Sequence, residues 1–173
     1  MTPAGEPTSL AARQAALVAS LVAGGPPPSG FAPGPLAAAR AALLRKRAGE
    51  VARHWPLLAT GLGPAWPTVF IEWAAGRPGA GGLRDGWDLA RALHARAALP
   101  ALGAEELAVR ESDLYYDGQR APRRRRLPAL GRAGDALALQ VAGRIHLLRR
   151  RRAPCKHPRC PAAPGPDGRR RAK

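Results

Sequence analysis

Three soft metal ligands fall within six residues at Cys155-Lys156-His157-Pro158-Arg159-Cys160. A structural zinc site closes its tetrahedron with four such ligands. The chain has two cysteines in all, and only His146 and His54 stand as candidates to complete a set. The neighbouring cations favour thiolate but oppose a dication. The cluster therefore reads as a basic tail that contains two thiols, and neither a metal nor a cofactor is expected.

The arginine runs carry a different chemistry. Arg123, Arg124, Arg125 and Arg126 form one run, and Arg149, Arg150, Arg151 and Arg152 a second. Neither contains an aromatic residue on which a base could stack. Such runs bind phosphate or carboxylate without reading a sequence.

Catalytic patterns are missing. The chain has no Ser/His/Asp arrangement and no P-loop. Gly79-Ala80-Gly81-Gly82 precedes a helix, but no strand leads into it and no Lys-Ser/Thr follows, so it reads as a flexible loop. Asp85, Asp88, Glu105, Glu106 and Glu111 occupy helix positions. Asp85 and Glu105 or Glu106 fall in first turns, where the helix dipole favours acid. His54 and His94 are lone histidines on helices. Trp55, Trp66, Trp73 and Trp87 lie on apolar faces at helical spacing, which suits core packing. The chain reads as a binding protein and not as an enzyme.

Charge divides the sequence. Residues 1–119 hold eleven Lys/Arg against ten Asp/Glu, a net of +1. Residues 120–173 hold seventeen against two, a net of +15. The first part has the balance of an ordinary globular domain, and the second is a polycation suited to an anionic partner. Pro and Gly number 39 of 173 residues, just under the roughly 25–30% at which disorder is the first reading. An ordered core with loose ends follows. There is no apolar run of about 20 residues for a membrane span. Met1 to Ser9 lacks the basic and apolar regions of a signal peptide. With both cysteines in the tail, a reducing, cytoplasmic location is expected.

The hydrophobic spacing predicts a mainly α fold, a compact bundle of about five helices over residues 8–118. Thr8 or Ser9 can cap the first helix, which stops at Gly24-Gly25. The second runs from near Pro35 to Trp55, ended by Pro56. The third spans about 64–75, the fourth 83–97 and the fifth 103–116. Beyond Gly118 the period changes. A short strand at 127–130 is possible. Leu137, Leu139 and Val141 then alternate with small or polar residues, Ala142-Gly143 makes a turn, and Ile145 and Leu147 alternate with Arg144 and His146. This predicts a small basic β-hairpin unit at 119–150. Residues 1–7 and 151–173 are expected to be disordered. Because the helical periodicity ends near Tyr116, residues 8–118 are expected to fold by themselves.

Within the hairpin unit, the strand from Arg144 to Leu148 is the docking candidate, with Arg144, Ile145, His146 and Leu147 as its contact residues. An edge strand exposes backbone groups to which an extended peptide can add. The two arginine runs would flank such a peptide and favour an acidic one.

One stretch has a familiar set of landmarks. A helix bearing Leu43-Leu44-Arg45-Lys46-Arg47 leads to Trp55-Pro56-Leu57-Leu58 and Leu62-Gly63. Phe70, the Gly86 of Leu83-Arg84-Asp85-Gly86, Leu99-Pro100 and Glu106-Leu107-Ala108-Val109-Arg110-Glu111 follow. These residues, Leu36 to Asp117, resemble the N-terminal helical domain of HvfC/BufC-type proteins, a domain once labelled only as DNA-binding. The family's usual helix has an aromatic and an Asn near the position of Arg45 to Arg47. The resemblance extends to shorter, actinobacterial-looking relatives with a small basic C-terminal domain. It implies a partner protein in the maturation of ribosomally made, post-translationally modified peptides. Such a protein would work beside a multinuclear non-haem iron oxidase that modifies cysteines of a precursor peptide. It implies no catalytic residue. Composition suggests nucleic-acid binding through the Arg-rich third as the alternative.

Overall fold

The computed structural model describes residues 9–149. Its helices are α1 (Leu10–Ala23), α2 (Pro33–His54), α3 (Pro56–Leu62), α4 (Trp66–Ala74), α5 (Gly82–Ala95) and α6 (Ala101–Asp113). Five strands follow: β1 (Leu114–Tyr115), β2 (Arg123–Arg124), β3 (Ala129–Ala133), β4 (Ala136–Val141) and β5 (Arg144–Arg149). None of these helices is long and apolar enough to cross a membrane.

Local chemistry explains the boundaries. Ser9 caps α1 by accepting from the Ala12 N–H at 3.1 Å. Gly24 ends it in the left-handed region at φ 73°. Trp55 joins α2 to α3. Its N–H donates to Val51 O at 2.8 Å, and its carbonyl accepts from Ala59 N at 3.0 Å. Pro56 enforces the bend, because it disfavours helical geometry at Trp55 and serves as the first residue of α3.

The helix expected over 64–75 is a single turn of 3-10 helix, Gly63–Ala65, followed by α4. α3 is an additional short helix that the periodicity missed, since seven residues carry too few repeats to register. The helix expected over 103–116 ends at Asp113. Leu114 and Tyr115 are extended because they pair with Arg124 and Arg123.

The β region is not a single hairpin. β1 and β2 form a two-stranded antiparallel ribbon, and β3, β4 and β5 form a three-stranded antiparallel sheet in that order. The strand foreseen at 127–130 begins at Ala129 and runs to Ala133. Gly131 is the reason β3 lies against α6. A Cβ there would stand 1.9 Å from Ala108 O and 2.7 Å from Ser112 N. Only glycine lets the two backbones approach so closely.

Val51, Trp55, Leu58, Phe70, Trp87, Ala90 and Ala108 are fully buried at the centre of the core. That core continues past Gly118. Ala133, Ala136 and Ala138 belong to the same apolar cluster and are at most 4% exposed. The small side chains of the sheet close the α6 side of the helical core, so no boundary between two cores falls at residue 118.

Candidate functional site

β5 is an edge strand, paired with β4 alone among the described residues. The β4–β5 connection is the two-residue turn Ala142-Gly143, with φ of 51° and 76°. Positive φ at both central positions matches the right-handed twist of the hairpin. Such a turn closes on a hydrogen-bonded pair, here Val141 and Arg144. In an antiparallel ladder, bonded and non-bonded pairs alternate. His146 and Leu148 therefore face β4 with their backbone groups, and Ile145 and Leu147 turn theirs to the open edge.

The side chains sort by the same alternation. Ile145 and Leu147 stand opposite Gln140 and Ala138, on the face that covers α6, and each is 37% exposed. Arg144 and His146 lie on the outer face and are exposed. A groove of about 390 Å³ lies beside Leu147, lined by the apolar Pro56, Leu57, Val109 and Leu114 together with Arg110 and the carboxylates Glu105, Glu106 and Asp113. The four residues named from sequence are thus together. Ile145 and Leu147 share the inner face, where Leu147 lines the groove, and Arg144 and His146 face outward.

The first arginine run does not stay together. Arg123 and Arg124 pair with Tyr115 and Leu114 in the ribbon. Arg125 turns back onto the end of α6, its Nε 3.1 Å from both Glu111 O and Leu114 O;. A cation there meets the negative end of the helix dipole. Arg126 is exposed. The guanidinium groups of Arg123 and Arg125 lie 5.2 and 5.5 Å from the centre of the Tyr115 ring. The run contains no aromatic residue, yet the fold places one beside it. No local signal revealed this, since Tyr115 precedes Arg123 by eight positions and lies in a different part of the pattern. Arg149 ends β5. Its side chain lies outside the described residues, as do Arg150, Arg151, Arg152, Cys155, His157 and Cys160.

The acidic residues of the helices hold the fold. Asp85 is 2% exposed and pairs with Arg47 at 2.7 Å, while its other oxygen accepts from Ala80 N at 2.9 Å. Arg47 also donates to Arg77 O at 2.8 Å and stands 5.7 Å from the Phe70 ring centre. The third residue of the basic triplet is therefore an internal clamp between α2 and the start of α5. Glu106 caps α3 from a distance, accepting from Leu58 N at 2.9 Å and pairing with Arg110 at 3.2 Å. The Arg110 guanidinium stacks 4.3 Å from the Trp55 ring centre. Glu111 accepts from the Trp87 indole N–H at 2.8 Å and pairs with Arg91 at 2.6 Å. Asp88 accepts from the Tyr116 hydroxyl at 3.1 Å. Burial raises the Asp88 carboxyl above its ordinary range, against the opposing effects of Tyr116 and Arg91. Burial and the Asp88 charge push the Tyr116 phenol up to about 12. His54 and His94 are exposed. Trp55, Trp66 and Trp87 are buried in the core, and Trp73 is half-buried against Phe70 at 5.9 Å.

Comparison with known proteins gives a family model that matches part of the chain and a distant relative. A family model described as "SCO6045-like, C-terminal domain" matches residues 11–95, which reach from α1 to the end of α5. A UPF0276 protein of Streptomyces avermitilis is 37% identical over 132 residues, 76% of this chain and 27% of that relative. The chain thus spans about a quarter of the length of the curated relative it matches. No solved structure matches.

Proposed function

We propose that this chain is a non-catalytic accessory protein that captures a precursor peptide by strand addition to β5 and presents it to a metal-dependent, peptide-modifying oxidase. The observation that carries the reading is the β5 backbone edge at Ile145 and Leu147, unpaired among the described residues, with the Leu147 side chain lining a groove. An extended peptide gains main-chain hydrogen bonds along such an edge and seats alternate side chains in the groove. Arg144 on β5, with the arginines that follow the strand in the sequence, favours an acidic peptide. Two similarities support the pairing with an enzyme. The landmarks from Trp55 to Glu111 resemble the HvfC/BufC-type domain. The matching segment also forms only 27% of the Streptomyces relative, so a comparable unit occurs there within a much longer chain. Covalent linkage holds two modules at high effective concentration. Working beside a larger protein, in the cytoplasm and without a cofactor of its own, is the role this suggests.

Co-purification with the oxidase and its precursor peptide at moderate salt tests the proposal. Ile145→Pro removes an outward donor and leaves the β4 ladder intact, because Ile145 points its N–H away from β4. It should abolish peptide capture without altering the helical circular-dichroism spectrum, while Ile145→Val should still capture. If the intact protein retains neither oxidase nor peptide, the adaptor reading fails.

A further inference from the structure

Tyr115 is 43% exposed, a large aromatic ring on the surface of the β1–β2 ribbon. Two guanidinium groups lie against it, Arg123 at 5.2 Å and Arg125 at 5.5 Å. Arg125 is fixed by its bonds to the carbonyls of Glu111 in α6 and Leu114 in β1. Arg123, Arg124 and Arg126 are exposed, and none joins any of the three ion pairs formed among the described residues. The ribbon is anchored at its far end as well. Arg84 donates to Gln119 O at 3.1 Å, and Asp117 accepts from Gln119 N and Arg120 N. An exposed ring, fixed in place and interleaved with unpaired cations, combines the two parts of a single-strand nucleic-acid platform: a stacking surface and charge along the backbone path.

We propose that the Tyr115–Arg123–Arg125 ribbon binds single-stranded nucleic acid without sequence preference. One base stacks on the Tyr115–guanidinium layer. Arg123, Arg124 and Arg126 meet successive phosphates. The exposed side chains of the two paired strands, apart from the ring, are cations without acceptors, so the strands have little with which to read base edges. The site uses the Tyr115 ring and the arginines of the ribbon and not the backbone edge of β5, so it does not rest on the adaptor reading.

The test is binding of a fluorescent oligothymidylate, and of a duplex of equal length, to the full chain. Tyr115→Ala should weaken single-strand binding roughly tenfold while leaving its salt slope unchanged, because no charge is removed. Tyr115→Phe should restore affinity. Arg123→Ala should reduce the log–log salt slope by about 0.7. Duplex binding should not respond to Tyr115→Ala. Equal single-strand affinity for Tyr115→Ala and the parent would overturn the proposal and leave only polycation attraction. Preference for polyglutamate over oligothymidylate, lost on Arg123→Ala, would overturn it in favour of an acidic polypeptide. Ile145→Pro, which tests the peptide edge, should leave oligothymidylate binding unchanged.

Discussion

Gly86 lies so close to the indole of Trp55 that a Cβ on it would stand 2.1 Å from Cδ1 and 2.4 Å from Nε1. The ring cannot retreat. Its N–H donates to Leu83 O at 2.9 Å, Trp87 meets it edge-on at 5.9 Å, and the Arg110 guanidinium lies 4.3 Å from its centre. Trp55 is also the hinge between α2 and α3, so moving it moves both helices. Gly86→Ala is expected to cost about 3 kcal/mol, the upper part of the usual range for overpacking. Urea denaturation followed by tryptophan fluorescence measures it. A loss below about 1 kcal/mol would mean that the α2–α5 contact is softer than its geometry.

Asp85 and Arg47 offer a second test of the same contact. Asp85→Ala strips the half-buried Arg47 guanidinium of its counter-charge and leaves Ala80 N without its acceptor. The expected loss is about 3 kcal/mol, as for other buried pairs broken on one side. Removing both partners, with Arg47→Met added, should recover part of it. Additive losses in a double-mutant cycle would show that the two side chains do not act as a pair.

Truncation after Gly118 tests the single core. It deletes Ala133, Ala136 and Ala138 and uncovers the α6 face around Ala108 and Ser112. We expect the melting midpoint to fall by roughly 10 °C or more, which corresponds to about 3 kcal/mol for a domain of this size. A midpoint matching the intact chain would show that α6 needs no cover.

The alkaline limb of stability should depend on Tyr116. Its phenol is raised from the ordinary value of 10.0 to about 12 in the folded chain. A group whose folded pKa lies above its unfolded value stabilises fully below the unfolded pKa and loses that contribution as pH rises through the folded one. The parent should therefore lose stability between about pH 10 and 12 through this group. Tyr116→Phe should be less stable at neutral pH, having lost the bond to Asp88, but should lose less over that alkaline window. Identical alkaline slopes for the two proteins would refute the assignment.

The sequence carried the helical part well because its signals are local. Ser9, Gly24 and Pro56 act within one turn of themselves, and the Leu43, Leu44, Val51 and Trp55 stripe repeats often enough to register. α3 escaped because seven residues hold less than two full repeats. The end of α6 was misplaced because Leu114 and Tyr115 continue an apolar pattern that either a helix or a strand could use. Pairing with Arg123 and Arg124 settled it. The acidic residues lie on helices as expected, with Asp85 in the first turn of α5, but α6 begins at Ala101, so Glu105 and Glu106 fall beyond its first turn. Their partners, such as Arg47 for Asp85 and Arg110 with Leu58 N for Glu106, were not foreseen from spacing alone.

By itself, the sequence determined that this protein has an apolar-striped helical part of balanced charge and a strongly basic end, and that Ile145 and Leu147 alternate with Arg144 and His146. Those properties follow from composition and from periods of two and 3.6, which neighbouring residues impose on one another. Tertiary structure alone decided that Gly131 brings the sheet onto α6, that Leu147 lines a groove with Leu57, Val109 and Leu114, and that two arginines of a run with no aromatic of its own lie against Tyr115. The physical reason is range. Backbone preference and hydrophobic period act over a few residues. Close approach, edge exposure and cation–aromatic contact depend on which distant segments the burial of one shared core brings together.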